Sequence, residues 1–432
     1  MSVNQSIKPI TTLRLTNLNI GGCDLVKLAQ EYLTPLYVID EETLRQTCRE
    51  YVEAFADCKN VHLMYASKAL CIKALSKIIE SEGFGFDVVS AGEIYTILDA
   101  KISPEKMLFN GNNKSKKEIN YALESGVRKF SVDNFYELEL LNKFASKNQN
   151  VEILLRITPG IECHTHDYIQ TGQIDSKFGF DLSQIDEAVE LIQNKYKKLK
   201  LCGLHAHIGS QIFELKSYQD EIEILVKELR RINKKYRLNL SVLNIGGGFG
   251  VKYTEYDCPP SVAEWADVVK TTLAKYKDEI TSLYIEPGRS IISTAGVTLY
   301  TVGGYKQVPN GRKYVFVDGG MADNPRPALY DAKYTVELAN NHQRRKKEIV
   351  TIAGRFCESG DILFKDIELP QLKPDDILCV YNTGAYNYSM ASNYNKVEKP
   401  EMVLVNNSQS DIIVYRERLD ELIMTENIPD RL

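Results

Sequence analysis

The sequence predicts an α/β fold, a (β/α)8 TIM-like barrel followed by an all-β domain, and three observations lead there. A chain of 432 residues is too long for one ordinary domain. Short apolar runs suited to buried strands recur at 61–66, 84–89, 107–110, 129–132, 151–157, 199–207, 240–245 and 282–286, with helical patterns between them. Beyond Ser290 the texture changes to short β runs separated by turns: Thr298–Val302, Tyr314–Val317, Ile349–Ile352, Ile377–Tyr381, Met402–Val405 and Ile412–Tyr415. Periodicity alone also allows an open doubly wound sheet. The barrel is preferred because Lys68, Asp87, Asn110, His207, Gly246 to Gly248 and Glu286 all fall at C-terminal strand ends, the face on which barrels carry their active sites. The division expected is an N-terminal segment 1–40 that partly joins the β domain, a barrel over 41–290 and a β domain over 291–432.

Taken in order, residues 1–35 contain Gly21-Gly22 and few other signals. Leu36 to Ile39 is a short strand that either part of the protein could claim. Asp40 is placed to cap a helix through about Phe55. The first barrel strand is followed by a helical pattern from Cys71 to Glu82. Ser115 with Glu118 forms a capping box ahead of Ile119 to Leu123, and Gly126 ends that helix. Ser183 opens a helix over Ile185 to Ile192. Arg344 to Lys347, with Glu348, is a charge run that reads as a solvated turn.

Composition excludes several classes of function. Apolar content of 44% and charged content of 26% are those of a water-soluble globular chain. A net charge of -5 offers no basic footprint for nucleic acid. No apolar run reaches the length of a membrane span, and the polar start MSVNQSIKPITT, with Lys8 and Arg14, lacks the apolar core of a signal peptide. Nine cysteines without CxxC spacing read as reduced thiols of a cytoplasmic protein. His164 and His166 stand beside Cys163 without a second ligand pair, so no metal is expected.

The chemistry centres on Lys68, in Tyr65-Ala66-Ser67-Lys68. A lysine ending a buried strand is set back from water, and desolvation makes its amine available as a nucleophile. Asn244-Ile245-Gly246-Gly247-Gly248-Phe249-Gly250 follows a strand, where consecutive glycines let backbone N–H groups converge on a phosphate. In Glu286-Pro287-Gly288-Arg289, Gly288 again frees backbone for a phosphate. Glu286 can face a protonated pyridine nitrogen, and Arg289 can grip a substrate carboxylate. His205 and His207 share one side of a strand, so both point into the barrel. A flat imidazole can stack on a flat ring, and Ser210 can bond a phosphate. These parts together make a site for pyridoxal phosphate.

The stretches TPLYVIDEETL, YASKAL, GFGFDVVSAGEIYT, FNGNNKS, SKFGF, HIGSQIF, NIGGGFGVKY, EPGRS, DGGMADNPRPALYDA, CESGD and TGAYNYSMASNYN, spread over residues 34 to 395, resemble the fold type III pyridoxal-phosphate decarboxylases. Within that group they are most similar to the diaminopimelate decarboxylases. Arg355-Phe356 is a local departure, since the family more often has a proline and a small apolar residue there.

The resemblance implies an alanine racemase-like fold, a homodimer with shared sites, and meso-2,6-diaminopimelate as substrate. It implies that Lys68 holds the cofactor as an imine, that Asp87 belongs to the cofactor site, that His207 stacks on the ring and that Glu286 faces the ring nitrogen. Ser210, Gly246, Gly247, Gly248, Gly288 and Tyr386 would surround the phosphate. Arg289, Arg326 and Tyr330 would hold the far end of the substrate, beside Tyr386. Cys357, as proton donor, and Glu358, on the substrate's amine, would reach in from the partner chain. Two arginines suit a substrate that keeps a second carboxylate. A plain ornithine or lysine decarboxylase would want an acidic residue for a distal ammonium instead.

Overall fold

Eight short apolar strands, each too narrow to bury both faces alone, close on one another as a parallel barrel. The computed structural model describes residues 17–147, 149–160, 176–340 and 346–432. The barrel strands, in chain order, are Val61–Ala66, Gly85–Val88, Met107–Phe109, Lys129–Val132, Val151–Arg156, Leu199–His205, Val242–Asn244 and Ser282–Ile285. The last pairs with the first through Leu283 opposite Val61, which removes any free edge. All eight strands stand where the apolar runs predict them.

Helices cover the outside, and their starts follow local chemistry. The Ser115/Glu118 capping box opens Lys116–Glu124, and a second box, Ser261/Glu264, opens Val262–Ala274. Two cap expectations are corrected. Asp40 does stand before Glu41–Ala54, but its carboxylate accepts from the Thr43 hydroxyl and caps no backbone N–H. The turn before Ile185–Asn194 is opened by Asp181, whose carboxylate accepts the Ser183 N–H and whose own N–H donates to Gln184 Oε1; Ser183 does not open it. The only tryptophan of the chain, Trp265 on Val262–Ala274, packs against Tyr51 of the Glu41–Ala54 helix, Phe55 at its end, Tyr218 of the Leu215–Tyr236 helix, and Phe249 of the glycine loop.

The β part is one large sheet. Its strands run Ile362–Pro370, Lys347–Ala353, Lys313–Val317, Gly296–Gln307, Leu36–Asp40, Glu401–Asn406 and Gln409–Val414, with Ile377–Tyr381 and Val336–Leu338 attached beside Gly296–Gln307. The early strand Leu36–Asp40 therefore belongs to this sheet, antiparallel to Gly296–Gln307 and parallel to Glu401–Asn406. Several features lie outside the sequence reading. Leu25–Tyr32 is a helix, capped by Asp24, in a stretch with few signals. The strands Val336–Leu338 and Ile362–Pro370 fall between the predicted runs. Lys347 and Glu348 begin a strand instead of lying in a solvated turn; Arg344 lies outside the described residues, as do Cys163, His164 and His166.

Gly203 tests the tightness of the barrel. A Cβ there would lie 1.8 Å from the Val242 carbonyl oxygen on the neighbouring strand. Gly304, at the bulge of the long β strand, has nothing within 4 Å of the same position. Gly203→Ala should lower unfolding stability by about 1–3 kcal/mol through overpacking. Gly304→Ala should change it by no more than about 0.5 kcal/mol. Urea unfolding midpoints of the two variants check this, and equal midpoints would contradict the packing argument.

Candidate active site

The C-terminal ends of the barrel strands meet the β sheet around a cavity of about 910 Å3. Lys68, Asp87, His207, Ser210, Gly247, Gly248, Glu286, Gly288, Arg289, Arg326, Tyr330 and Tyr386 all line it. Among the expected residues, Gly246, Cys357 and Glu358 do not. Gly246 lies one layer behind, its N–H donated to Asn244 Oδ1 and its carbonyl accepting from the Glu286 N–H. Cys357 and Glu358 sit on an exposed turn of the β domain, away from this chain's own cavity.

Lys68 stands in a short 3-10 turn, Ser67–Ala69, just past the first barrel strand. Its seclusion from solvent is not seen: the side chain is exposed to the open cavity, while Ser67 and Ala69 on either side are buried. The turn opens that way because Ala69 is tied down by the β domain, its carbonyl accepting from the Tyr386 N–H at 2.9 Å and the Ser389 hydroxyl at 3.0 Å.

Glu286 is the buried charge of the site, 7% exposed. Its Oε1 accepts from Asn110 Nδ2 at 2.9 Å and Asn244 Nδ2 at 2.6 Å, and its Oε2 lies 3.5 Å from His205 Nε2. Burial pushes its pKa up, but His205, Asn244 and Asn110 outweigh that and hold it well below the usual carboxylate range. Asp87 shares the same asparagine, accepting from Asn110 Nδ2 at 2.6 Å. Its pKa is pushed up to about 8, first by burial and then by the charge of Glu286. The two carboxyl groups are thus pushed in opposite directions, Asp87 toward its protonated form and Glu286 toward its charged one. Burial pushes the His205 pKa down while Glu286 opposes that, and its Nδ1 shares a hydrogen bond with the Ser131 hydroxyl.

His207 accepts the Gly247 N–H on Nδ1 at 3.2 Å. Burial, with the nearby Lys68 and Arg156 cations, holds its pKa well below the ordinary histidine value, leaving a neutral flat wall. The Gly248 and Gly288 N–H groups donate to no acceptor among the described residues. Gly248 needs its glycine: φ is +93°, and a Cβ would lie 2.5 Å from the Gly209 carbonyl. Ser210 Oγ accepts from Arg289 Nη2 at 2.9 Å and Nε at 3.3 Å.

The sequence reading did not single out Tyr253 or Tyr334, and the structure places both between the arginines. Arg289 Nη1 donates to the Tyr253 hydroxyl at 2.8 Å, and Arg326 Nη1 donates to the Tyr334 hydroxyl at 2.6 Å. The Arg326 guanidinium also lies 5.2 Å from the Tyr253 ring centre, and that of Arg289 lies 4.8 Å from the Tyr386 ring centre. Both arginines are buried, and neither pairs with a carboxylate among the described residues. Tyr253 stands three residues beyond Gly250 and Tyr334 four beyond Tyr330, so their proximity to motifs was the available signal.

Residues 41–293 match the pyridoxal-binding domain of the pyridoxal-dependent decarboxylases. The diaminopimelate decarboxylase of Synechocystis sp. is 47% identical over 449 residues, which cover 100% of this chain and 95% of the relative. The diaminopimelate decarboxylase of Bacillus subtilis is 45% identical over 416 residues, 94% of each chain. The crystal structure of diaminopimelate decarboxylase from M. jannaschii, in complex with L-lysine, superposes with a TM-score of 0.90 at 34% identity, covering 97% of this chain and 98% of that one. With a closed barrel, a mostly β second part and a cavity at their junction, the chain belongs to the diaminopimelate decarboxylases, pyridoxal-phosphate-dependent enzymes of lysine biosynthesis.

Proposed function

We propose that the protein is a cytoplasmic homodimer that decarboxylates meso-2,6-diaminopimelate to L-lysine and CO2, with Lys68 holding the cofactor and Cys357 returning the proton. The observation that carries the substrate assignment is the pair Arg289 and Arg326. Two buried guanidiniums without a carboxylate partner among the described residues are costly unless an anion joins them. The scattered cysteines support a reducing compartment, and no helix among the described residues is long and apolar enough to cross a membrane. The boundaries supported are a barrel over 41–290 and a β domain over 291–432, with Leu36–Asp40 contributed to the latter from the N-terminal segment.

Pyridoxal phosphate fits the residues present. Lys68 offers an amine, Glu286 an ionised carboxylate, and Gly248 and Gly288 offer uncommitted N–H groups beside Ser210. When bound, the cofactor's protonated ring takes up the electron pair that departing CO2 leaves behind. Glu286 would face the ring nitrogen and favour its protonated form, its own charge held by Asn110 and Asn244. His207 supplies a flat face against the ring. Ser210, the Gly247–Gly248 backbone, Gly288 and Tyr386 hold the phosphate end, and Arg289 reaches both this end and the substrate.

Arg326 and Tyr330, with Arg289, hold the substrate's far carboxylate, and Glu358 holds its distal ammonium. Cys357 delivers one proton to the carbon that has lost CO2. The exposure of the Cys357–Glu358 turn supports its delivery to the cavity of a second copy.

L-Lysine and L-ornithine lack the second carboxylate that the arginines await. A site built for a polar group rejects analogues without it, so both should show kcat/KM lower by on the order of a thousandfold or more. Arg326→Ala should cut kcat/KM for meso-2,6-diaminopimelate by a similar factor and leave the cofactor's visible absorption unchanged. Comparable wild-type values for ornithine and diaminopimelate would remove the substrate assignment.

The shared site is tested by mixing. Lys68→Ala should lose the cofactor's bound absorption band and its activity, and Cys357→Ala should be nearly inactive. After subunit exchange the two should form hybrids with one intact site and recover part of the wild-type rate. Proven exchange without recovery would place both residues in the site of one chain.

A further inference from the structure

The turn that carries Cys357 and Glu358 is anchored by a side chain that lies outside the cavity. Asp361 is buried, 3% exposed, at the end of that turn. Its Oδ2 accepts the Phe356 N–H at 2.8 Å, one residue before Cys357. Its Oδ1 accepts the Met321 N–H at 2.7 Å, on the segment that leads to Arg326. The backbone repeats the link: Arg355 N–H donates to the Gly319 carbonyl at 3.0 Å, Gly354 N–H to the Asp361 carbonyl at 3.0 Å, and Asp361 N–H to the Glu358 carbonyl at 3.1 Å. Two glycines make room for the carboxylate. A Cβ on Gly320 would lie 2.4 Å from Asp361 Oδ1, and one on Gly354 would lie 2.2 Å from Oδ2.

We propose that Asp361 is a positioning residue for the proton donor: it clips the Cys357–Glu358 turn to the Gly319–Arg326 segment and so fixes where Cys357 is presented. A carboxylate accepting two backbone N–H groups is a charge-assisted clamp, stronger than a neutral acceptor in the same place. Burial pushes the Asp361 pKa up, and its bonds to the Phe356 and Met321 N–H groups oppose that. The far side of the turn has looser ties. Cys357 N–H donates to Asn395 Oδ1 at 3.0 Å, and the Tyr394 hydroxyl reaches the Cys357 carbonyl at 3.4 Å. Asp361 thereby joins a segment that serves this chain's own cavity to a turn that faces outward. The inference rests on the reading of Cys357 as a proton donor shared between subunits.

The test uses holoenzyme dimers. Asp361→Asn keeps the shape but turns an amide N–H2 toward one of the two backbone donors and removes the charge. It should lower kcat at least about tenfold with little change in KM, because a small misplacement of a reacting group is enough for that. Full activity of Asp361→Asn overturns the proposal. Asp361→Asn is then exchanged with Lys68→Ala, and Cys357→Ala with Lys68→Ala as the control.

In the first hybrid the intact Lys68 and Arg326 come from the Asp361→Asn chain, while Cys357 comes from a chain whose Asp361 is normal. Recovery equal to the control supports the proposal. No recovery while the control recovers overturns it, and assigns Asp361 to its own chain's Arg326. A control that itself fails to recover removes the shared-site reading. The Asp361 proposal is then decided by lysine formed per CO2 released, which Asp361→Asn must lower as Cys357→Ala does; an unchanged ratio overturns it. Asp361→Glu, with the charge kept and the arm lengthened, takes the place of Asp361→Asn in each step if the latter does not fold.

Discussion

A carboxylate buried at the mouth of a barrel has to be held by its neighbours, and Glu286 is that group. Isolated, it would take up a proton in such surroundings. It remains charged because Asn110 and Asn244 donate to it from two other strand ends, with His205 on its second oxygen. Burial and the charge of Glu286 together push the pKa of Asp87, across Asn110, up. The same arrangement also sets the glycine run, since Asn244 accepts from Gly246 and the Gly246 carbonyl accepts from the Glu286 N–H. One buried carboxylate thus links five strand ends and the backbone beside them.

The β domain completes the site by closing it from above. It ties Tyr386 and Ser389 to Ala69, which opens the Lys68 turn toward the cavity. It also carries Arg326 into contact with Tyr253, a barrel residue already bound to Arg289. Arg289 and Arg326 are thereby brought together on either side of Tyr253.

Much of this was legible in the chain. The eight strands were readable because each is a short apolar run bounded by turns, and the Ser115/Glu118 box because reciprocal capping has a fixed spacing. Lys68 and Glu286 were readable as polar residues where a buried strand ends. What stayed hidden depended on distant partners. Val336–Leu338 is a strand because Ile377–Tyr381 pairs with it, and no local pattern reports that. Asp40 and Ser183 look like caps in sequence, yet a nearby hydroxyl or an earlier aspartate takes the role. The exposure of Lys68 follows from a turn held by the other domain, and Tyr334 acquires its place only once Arg326 folds over it.

The ionisation of Glu286 is the claim on which the site depends, and it can be observed directly. Glutamate labelled with 13C at the side-chain carboxyl reports protonation through its chemical shift, and the Glu286 signal is the one absent from Glu286→Gln. Because its pKa is held well below the usual carboxylate range, it should keep the ionised position from about pH 8 down to about pH 5. A signal that moves to the protonated position within that interval would contradict the account.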